Sequence, residues 1–134
     1  MCVNTIITPG PEQKQMDIET FREYCLNKKG ATEEFPFDNE TLVFKVMGKM
    51  FALASLTFTP FRANLKMNEN VVPEYREKYE DVQPGYHMNK RLWNSVYMDS
   101  GAIPGKELRW MIDHSYDEVV KGLTNKLKKE LELL

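Results

Sequence analysis

Apolar and polar side chains alternate strictly along residues 61–67. Every second residue is apolar, and Arg62, Asn64 and Lys66 stand between them. A period of two is typical of a strand that buries one face. We therefore predict a strand that places these three polar side chains on the solvent side of a sheet.

Two apolar runs, residues 42–47 and 50–56, predict a β-hairpin. Gly48-Lys49 lies between them, and glycine at the first central position favours a type II′ turn. The turn sets the register, and the register decides which side chains face the core. The predicted core face comprises Leu42, Phe44, Val46, Phe51, Leu53 and Ser55. The predicted opposite face comprises Val43, Lys45, Met47, Met50, Ala52 and Ala54.

Apolar residues at helical spacing predict four helices. The first begins at Asp17, a good N-cap residue, and ends at Gly30. The second covers residues 68–79. The third begins at Pro104, because proline is favoured in a first helical turn, and the fourth begins at Thr124. The expected inner face of the long third helix comprises Leu108, Met111, Ile112, Ser115, Val119 and Leu123.

Shorter elements complete the predicted order. Residues 31–41 are expected to form a loop, which residues 35–38 (Phe-Pro-Phe-Asp) would anchor to the core. A short strand is expected near residues 86–88, then a turn that Asn89 opens and a strand over residues 94–98. The order is helix, three strands, helix, two strands, helix, helix. Adjacent strands joined by short turns favour the α+β class, with helices packed on one face of an antiparallel sheet.

Length and composition indicate one folded domain. The chain has 134 residues, of which 42% are hydrophobic and 28% charged, a composition typical of globular rather than disordered proteins. Residues 8–11 (Thr-Pro-Gly-Pro) break regular structure. We therefore expect residues 1–15 to be a flexible extension and residues 16–134 to form a single domain.

Cysteine usage and hydropathy bear on location. Cys2 and Cys25 have no paired spacing, which excludes a disulfide framework and favours the reducing cytosol. No apolar run approaches the ~18 residues that a membrane span needs. We expect a cytoplasmic, mostly monomeric protein with no membrane partner.

Positive charges concentrate in the predicted strands. Residues 42–68 contain four cations and no acid, and residues 82–98 contain two cations and no acid. The helical segment 69–81 carries five acids against two cations. A net charge of −2 therefore hides a polarised surface. The candidate anion-binding residues are Lys45, Lys49, Arg62, Lys66, Lys90 and Arg91.

The first functional hypothesis is binding of double-stranded DNA by the open sheet face. The cations would contact phosphates, and Trp93 or Tyr97 would add contact area. The hypothesis predicts salt-dependent binding that charge reversal at Lys45, Arg62 and Lys66 abolishes. The alternative explanation is that a half-buried sheet must solvate its outer face, where lysines also prevent edge-to-edge aggregation. Six cations are few beside the roughly 6–10 phosphate contacts of a firm binder.

Catalytic and metal-binding patterns are missing from the sequence. His87 and His114 have no His or Cys at ligand spacing, so neither a metal nor another cofactor is expected. His87 is expected to bond locally beside the Asn89 turn, and His114 to lie on the surface of its helix. Cys25 falls on the apolar stripe of the first helix and is expected to be buried and inert. No set of residues points to an enzyme.

Residues 86–99 (Tyr-His-Met-Asn-Lys-Arg-Leu-Trp-Asn-Ser-Val-Tyr-Met-Asp) resemble the signature of the MmcQ/YjbR family of small bacterial proteins. The motif residues are His87, Asn89, Lys90 and Trp93. Residues 24–37 and 112–120 resemble the opening and closing segments of the same family, so the similarity covers about residues 16–134. Leu92 departs from the pattern, because the family often has histidine there, and no role of that histidine carries over.

The resemblance implies a fold of α-β3-α-β2-α order, which is the order that the periodicity predicts. Members of the family are commonly labelled DNA-binding, in agreement with the first hypothesis. The implied fold also occurs in small chaperones that bind other chains. The second hypothesis is therefore a protein-interaction or chaperone-like adaptor that uses the same sheet face. A third is small-ligand binding near His87 and Trp93.

Overall fold

Four helices and six strands make up the part of the chain that the computed structural model describes, residues 16–134. The helices span Ile18–Leu26 (α1), Val71–Lys78 (α2), Gly105–Lys121 (α3) and Asn125–Glu132 (α4). The strands span Ala31–Glu34 (β1), Thr41–Val46 (β2), Lys49–Ser55 (β3), Arg62–Lys66 (β4), Val82–Pro84 (β5) and Trp93–Tyr97 (β6). The extension predicted for residues 1–15 lies outside the described residues.

The strands form one antiparallel sheet in the order β1-β2-β3-β4-β6-β5. All four helices contribute to the apolar core on one side of it, through residues such as Phe21, Val72, Met111 and Leu131. We call this side of the sheet the covered face and the other side the open face. The prediction of an α+β fold with helices on one face of an antiparallel sheet is confirmed.

Strand β1 falls in a segment that was predicted to be a loop, so four strands rather than three precede α2. Its sequence, Ala-Thr-Glu-Glu, has no alternating apolar side chains, because β1 is an edge strand with little to bury. Its Glu33 forms an ion pair with Arg22 of α1. The expected anchoring by residues 35–38 is also wrong, since Phe35 and Phe37 are exposed.

The alternation in β4 is confirmed. Ala63 and Leu65 belong to the core on the covered face. Arg62, Asn64 and Lys66 are half-buried and lie on the open face. This strand is central in the sheet, where a clear hydrophobic period determines the orientation of its side chains.

The β2–β3 turn differs from the prediction. Met47 and Gly48 are its central residues, with φ angles of 50° and 82°, and Val46 pairs with Lys49. Two positive φ angles define a type I′ turn, whose twist matches that of the flanking strands, rather than the predicted type II′ turn. The turn therefore lies one residue earlier in the chain than predicted, and strand β3 begins at Lys49.

This register exchanges side chains between the two faces. Ala52 and Ala54 pair with core residues on the covered face, whereas Leu53 pairs with Val43 on the open face. All three were predicted on the opposite sides. The register shifts at the middle of the hairpin, and this bulge leaves Phe51 without a partner in β2. Phe51 therefore stays in the core, as predicted.

Ser115 supplies a hydrogen-bond partner for the backbone of the bulge at Phe51. This serine lies on the inner face of α3 and is fully buried. Its hydroxyl donates a hydrogen bond to the carbonyl of Phe51 and accepts one from the backbone N–H of Lys66 at 2.9 Å. A buried hydroxyl with partners on two strands fixes the height of α3 over the sheet. The predicted inner face of α3 is confirmed, with Leu123 buried just beyond its end.

Strand β5 lies at Val82–Pro84, not at residues 86–88 as predicted. Only one of its three side chains is buried, so the sequence offers no alternation from which to place it. Residues 86–88, which were predicted to form this strand, belong to the loop between β5 and β6. Strand β6 begins at Trp93, one residue before the predicted start.

Candidate functional site

The open face carries a second apolar cluster, to which no helix in residues 16–134 contributes. Val43, Leu53 and Trp93 are buried in it, and Met50, Met88 and Leu92 pack against them. Leu92, the departure from the family pattern, is thus part of the packing. Strands β2, β3 and β6 supply the buried members, with β4 between β3 and β6, so the cluster spans the middle of the face. It forms the floor of the candidate site.

A cleft of ≈ 710 Å³ lies over this floor. The loops β1–β2, β3–β4 and β5–β6 wall it, and the polar side chains of β4 line it between them. We call it the open-face cleft. Its volume falls within the roughly 300–1,000 Å³ of sites that bind small molecules or short segments.

Hydrogen bonds hold the β5–β6 loop against the open face. The side-chain amide of Asn64 donates to the carbonyl of Tyr86 at 3.1 Å, and its oxygen accepts from the hydroxyl of Ser95. The same hydroxyl accepts from the backbone N–H of Tyr86 at 2.9 Å. Asn64 and Ser95 are opposite each other on β4 and β6, so two strands together fix the position of Tyr86.

Asn89 opens a turn, as predicted. Its carbonyl accepts hydrogen bonds from the N–H groups of Leu92 and Trp93 at 3.1 and 3.0 Å. Its side-chain oxygen accepts from the N–H of Arg91 at 2.9 Å, which is the pattern of an Asx turn. The turn delivers Trp93 to the floor of the cleft.

Arg76 supports this turn from the helical side. Its guanidinium donates to the side-chain oxygen of Asn94 at 2.7 Å and to the carbonyls of Trp93 and Lys90. Asn94 is fully buried and donates to the carbonyl of Val72 at 3.2 Å. Sequence reasoning missed both residues, because a helical arginine and a strand asparagine show no local pattern that links them.

Exposed aromatic side chains form the rim of the open-face cleft. Phe37, Phe58 and Tyr86 are 65%, 39% and 53% exposed, and each comes from a different loop. Single exposed apolar residues are normal on a protein surface, whereas a contiguous group around a concave site marks an interaction surface. Sequence reasoning did not place Phe37 here or select Phe58, because the loops that carry them have no periodicity.

Arg62 lies between two of these rings. Its guanidinium carbon is 3.8 Å from the ring centroid of Phe58 and 4.3 Å from that of Tyr86. The ring of His87 follows at 3.9 Å from that of Tyr86. Cation–π contacts of this length are favourable and restrict the arginine to one orientation. Phe58, Arg62, Tyr86 and His87 therefore contact one another in a row along the wall of the cleft.

Asp38, the acidic side chain in the cleft wall, is hydrogen-bonded to the backbone of its own loop. Asp38 accepts hydrogen bonds from the backbone N–H groups of Glu40 and Thr41 at 2.8 and 2.7 Å. These backbone bonds hold the pKa of Asp38 below its usual value. Asp38 therefore shapes the β1–β2 loop as an ionised carboxylate, and Arg62 is free of it.

The predicted cations do not form one continuous basic surface. Lys45 lies on the open face, but its ammonium is 2.5 Å from a carboxylate oxygen of Glu34 on β1. Arg91 lies 3.8 Å from Glu69. Lys49 pairs with the core residue Val46 and therefore lies at the covered side of the hairpin.

Of the remaining predicted residues, Arg62 and Trp93 line the cleft. Lys66 and Trp93 are opposite each other on the open face, as are Arg62 and Tyr97. Lys90 is exposed, and its ammonium donates to the carbonyl of Gly85 at 3.3 Å. The structure thus brings Arg62, Lys66 and the two aromatic side chains together.

His114 was predicted to lie on the surface of its helix, but it is half-buried. It stacks on Trp110 at 4.7 Å, and its Nε2 accepts a hydrogen bond from the backbone N–H of Asn68 at 3.0 Å. Burial is the main cause that lowers the pKa of His114, although Glu118 and Asp117 oppose it. The neutral imidazole is the form that the fold uses.

Cys25 is buried, as predicted, and burial raises the pKa of its thiol. His87 is exposed at the mouth of the open-face cleft, with a φ of 59°. Within residues 16–134, no group of three His, Cys, Asp or Glu side chains is arranged to hold a metal ion. None of the helices in that part of the chain has the length and apolar character to cross a membrane.

Comparison with known proteins places the chain among relatives of the same size. Uncharacterized protein YbdF of Escherichia coli O157:H7 is 37% identical over 124 residues, which cover 88% of this chain and 96% of that protein. Uncharacterized protein YjbR of Escherichia coli K12 is 29% identical over 116 residues, which cover 87% and 98%.

Solved structures share the fold. The crystal structure of Deinococcus radiodurans protein DR2400, described as a DUF419 domain, is similar with a TM-score of 0.80 and 36% identity, over 93% of this chain and 92% of that one. A Pseudomonas syringae protein, at 24% identity and a TM-score of 0.63, shows the same fold over 75% of this chain and 96% of that one. The family model described as YjbR matches residues 26–118. The chain belongs to the YjbR family.

Proposed function

We propose that the protein is an interaction module that binds a short segment of a partner protein in the open-face cleft. The observation that carries this proposal is the aromatic rim, Phe37, Phe58 and Tyr86, exposed around an apolar floor. Aromatic residues and arginine are enriched at protein interfaces, and charged residues are depleted at their centres. The cleft has this composition.

The extent of the exposed apolar surface favours a protein segment over a small molecule. Leu56 and Phe35 are also exposed, on the same two loops as Phe58 and Phe37. The two loops are joined, because the N–H of Leu56 donates to the carbonyl of Glu40 at 2.8 Å. A small molecule would fill the cleft and leave this rim in water, whereas an extended segment covers both.

Selection from a random peptide library, followed by titration of the selected peptides, tests the proposal. We expect selected peptides to shift the NMR signals of cleft residues and to lose about tenfold or more in affinity with Phe58→Ala, since aromatic anchors dominate such interfaces. Leu133→Ala is the matched control, because Leu133 is 85% exposed but lies at the end of α4, away from the cleft. Selected peptides that bind both variants equally, or bind elsewhere, would contradict the proposal.

Binding of double-stranded DNA is a second candidate. It is favoured by the shared position of Arg62, Lys66 and Tyr97 on the open face. It is weakened by the ion pairs of Lys45 and Arg91 with carboxylates, since a paired cation releases fewer counterions from DNA. The geometry therefore supports the protein-interaction proposal better.

A further inference from the structure

The guanidinium of Arg62 contacts two aromatic rings, and its donors have no partner among the described residues. Its carbon lies 3.8 Å from the ring centroid of Phe58 and 4.3 Å from that of Tyr86. An arginine carries five N–H donors in the plane of its guanidinium. Within residues 16–134, none of these donors forms a hydrogen bond or an ion pair with another residue. The two ring contacts restrain the guanidinium and leave its N–H donors for a ligand.

We infer that Arg62 is the anion-recognition residue of the open-face cleft, and that the bound segment presents a carboxylate beside apolar side chains. This inference rests on the proposed function and names the chemistry of the partner. The ligand is an acidic, hydrophobic peptide, whose Asp, Glu or terminal carboxylate meets the donor edge of Arg62 while its apolar side chains contact Leu53 and Trp93.

Charge complementarity selects this ligand. Within residues 16–134, Arg62 is the Lys or Arg side chain that lines the cleft, and the ionised carboxylate of Asp38 in the same wall already accepts backbone N–H groups of its own loop. A fork of parallel N–H donors matches the two oxygens of a carboxylate, and such charge-assisted pairs are about twice as strong as neutral ones. A phosphate would carry close to two negative charges against one guanidinium, so it is the poorer match.

The surroundings of Arg62 strengthen the pair. The guanidinium is half-buried between rings, so water screens it less than a fully exposed side chain. Its orientation is set before the ligand arrives, which lowers the entropy that binding must offset. Asn64, two residues along β4, is engaged with Tyr86 and Ser95 and does not compete for the carboxylate.

The first test uses the selected peptides and their amide counterparts, in which each Asp or Glu is replaced by Asn or Gln. We expect wild-type protein to bind the acidic peptide about tenfold or more tightly than the amide peptide, because hydrogen bonds to charged groups are the strong ones. Arg62→Gln should remove this preference, and Arg62→Lys should keep only part of it, since lysine lacks the fork. Equal binding of acidic and amide peptides would overturn the inference and leave the proposed function standing.

A second test needs neither a peptide nor a variant. Phenylacetate and phenylacetamide have the same apolar body, and only the first is an anion. We expect phenylacetate, and not phenylacetamide, to shift the Nε–H signal of Arg62 in NMR titration. If no peptide binds the cleft, the proposed function fails, and this titration still decides whether Arg62 recognises carboxylates. Equal shifts or no shift in this titration would overturn the inference, and so would tighter binding of a phosphorylated counterpart of the acidic peptide in the first test.

Discussion

Replacing Gly85 by alanine tests the close packing of the β5–β6 loop against Trp93, the first residue of strand β6. A Cβ built on Gly85 would lie 2.9 Å from both the Cβ and the carbonyl oxygen of Trp93, and 3.1 Å from the Cβ of Met88. These atoms belong to the backbone or are next to it, so no side-chain rotation relieves the contact. The N–H of Gly85 also donates to that carbonyl at 3.0 Å. The loop must therefore move away from the strand.

The expected cost follows from these contacts. Overpacking costs about 1–3 kcal/mol, and loss of the hydrogen bond from Gly85 to Trp93 adds about 1 kcal/mol. Alanine also lowers the conformational entropy of the unfolded chain, which stabilises the folded state by about 0.4–1 kcal/mol. We expect Gly85→Ala to lower the free energy of unfolding by about 2 kcal/mol. With a slope near 2 kcal/mol per molar urea, the denaturation midpoint falls by about 1 M.

Urea denaturation followed by tryptophan fluorescence measures this shift. Gly122→Ala is the matched control, because the nearest atoms to its new Cβ are 3.6 and 3.8 Å away and its φ of −84° suits alanine. It should leave the stability unchanged or raise it by up to about 1 kcal/mol. The explanation would be refuted if Gly85→Ala stayed within about 0.5 kcal/mol of the wild type, the range of ordinary surface substitutions.

Two further predictions concern His114 and nucleic acid. The folded-state pKa of His114 is lowered, so the stability that its neutral form contributes is present above the unfolded pKa of about 6.5 and is lost as the pH falls through the folded pKa. Urea midpoints measured from about pH 7 down to pH 5 should therefore fall, and His114→Gln should flatten that part of the profile; a profile unchanged by His114→Gln would contradict this role. For nucleic acid, we expect a labelled DNA duplex to show no saturable binding at low salt, because Lys45 and Arg91 are paired with carboxylates. Salt-dependent binding that is lost in the charge reversals Lys45→Glu, Arg62→Glu and Lys66→Glu would instead establish the nucleic-acid candidate.

The fold was predictable wherever one element buries one continuous face. Strand β4 and helix α3 follow their hydrophobic periods, because each is central and has solvent on its opposite side. The β2–β3 hairpin was not predictable in register, since both of its faces are buried and apolar residues occur at successive positions. With no polar face to fix the register, the turn geometry decides it, and the sequence Met-Gly-Lys permits two turns.

The candidate site was predictable only in its framework. The composition of residues 86–99 singled this segment out. Asn89 opens a turn and Trp93 lies on the open face, as the sequence predicted. The rim of the cleft depends on Phe37, Phe58 and Tyr86, which come from three different loops and meet only because those loops converge. Loop side chains have no period, so their convergence is a property of the fold and not of any one segment.

The residues that hold the β5–β6 loop differ from those that the proposal assigns to ligand recognition. Gly85, Asn89 and Asn94 are set among backbone hydrogen bonds, where a substitution disturbs the loop itself. Arg62 and Phe58 contact each other at the surface, where we expect a substitution to leave the sheet in place. The signature stretch thus supports the site through Asn89 and Asn94 and also lines it through Tyr86 and Trp93. The variants Arg62→Gln and Phe58→Ala therefore remove none of the hydrogen bonds that hold this loop, so a loss of binding in them would report on the cleft itself.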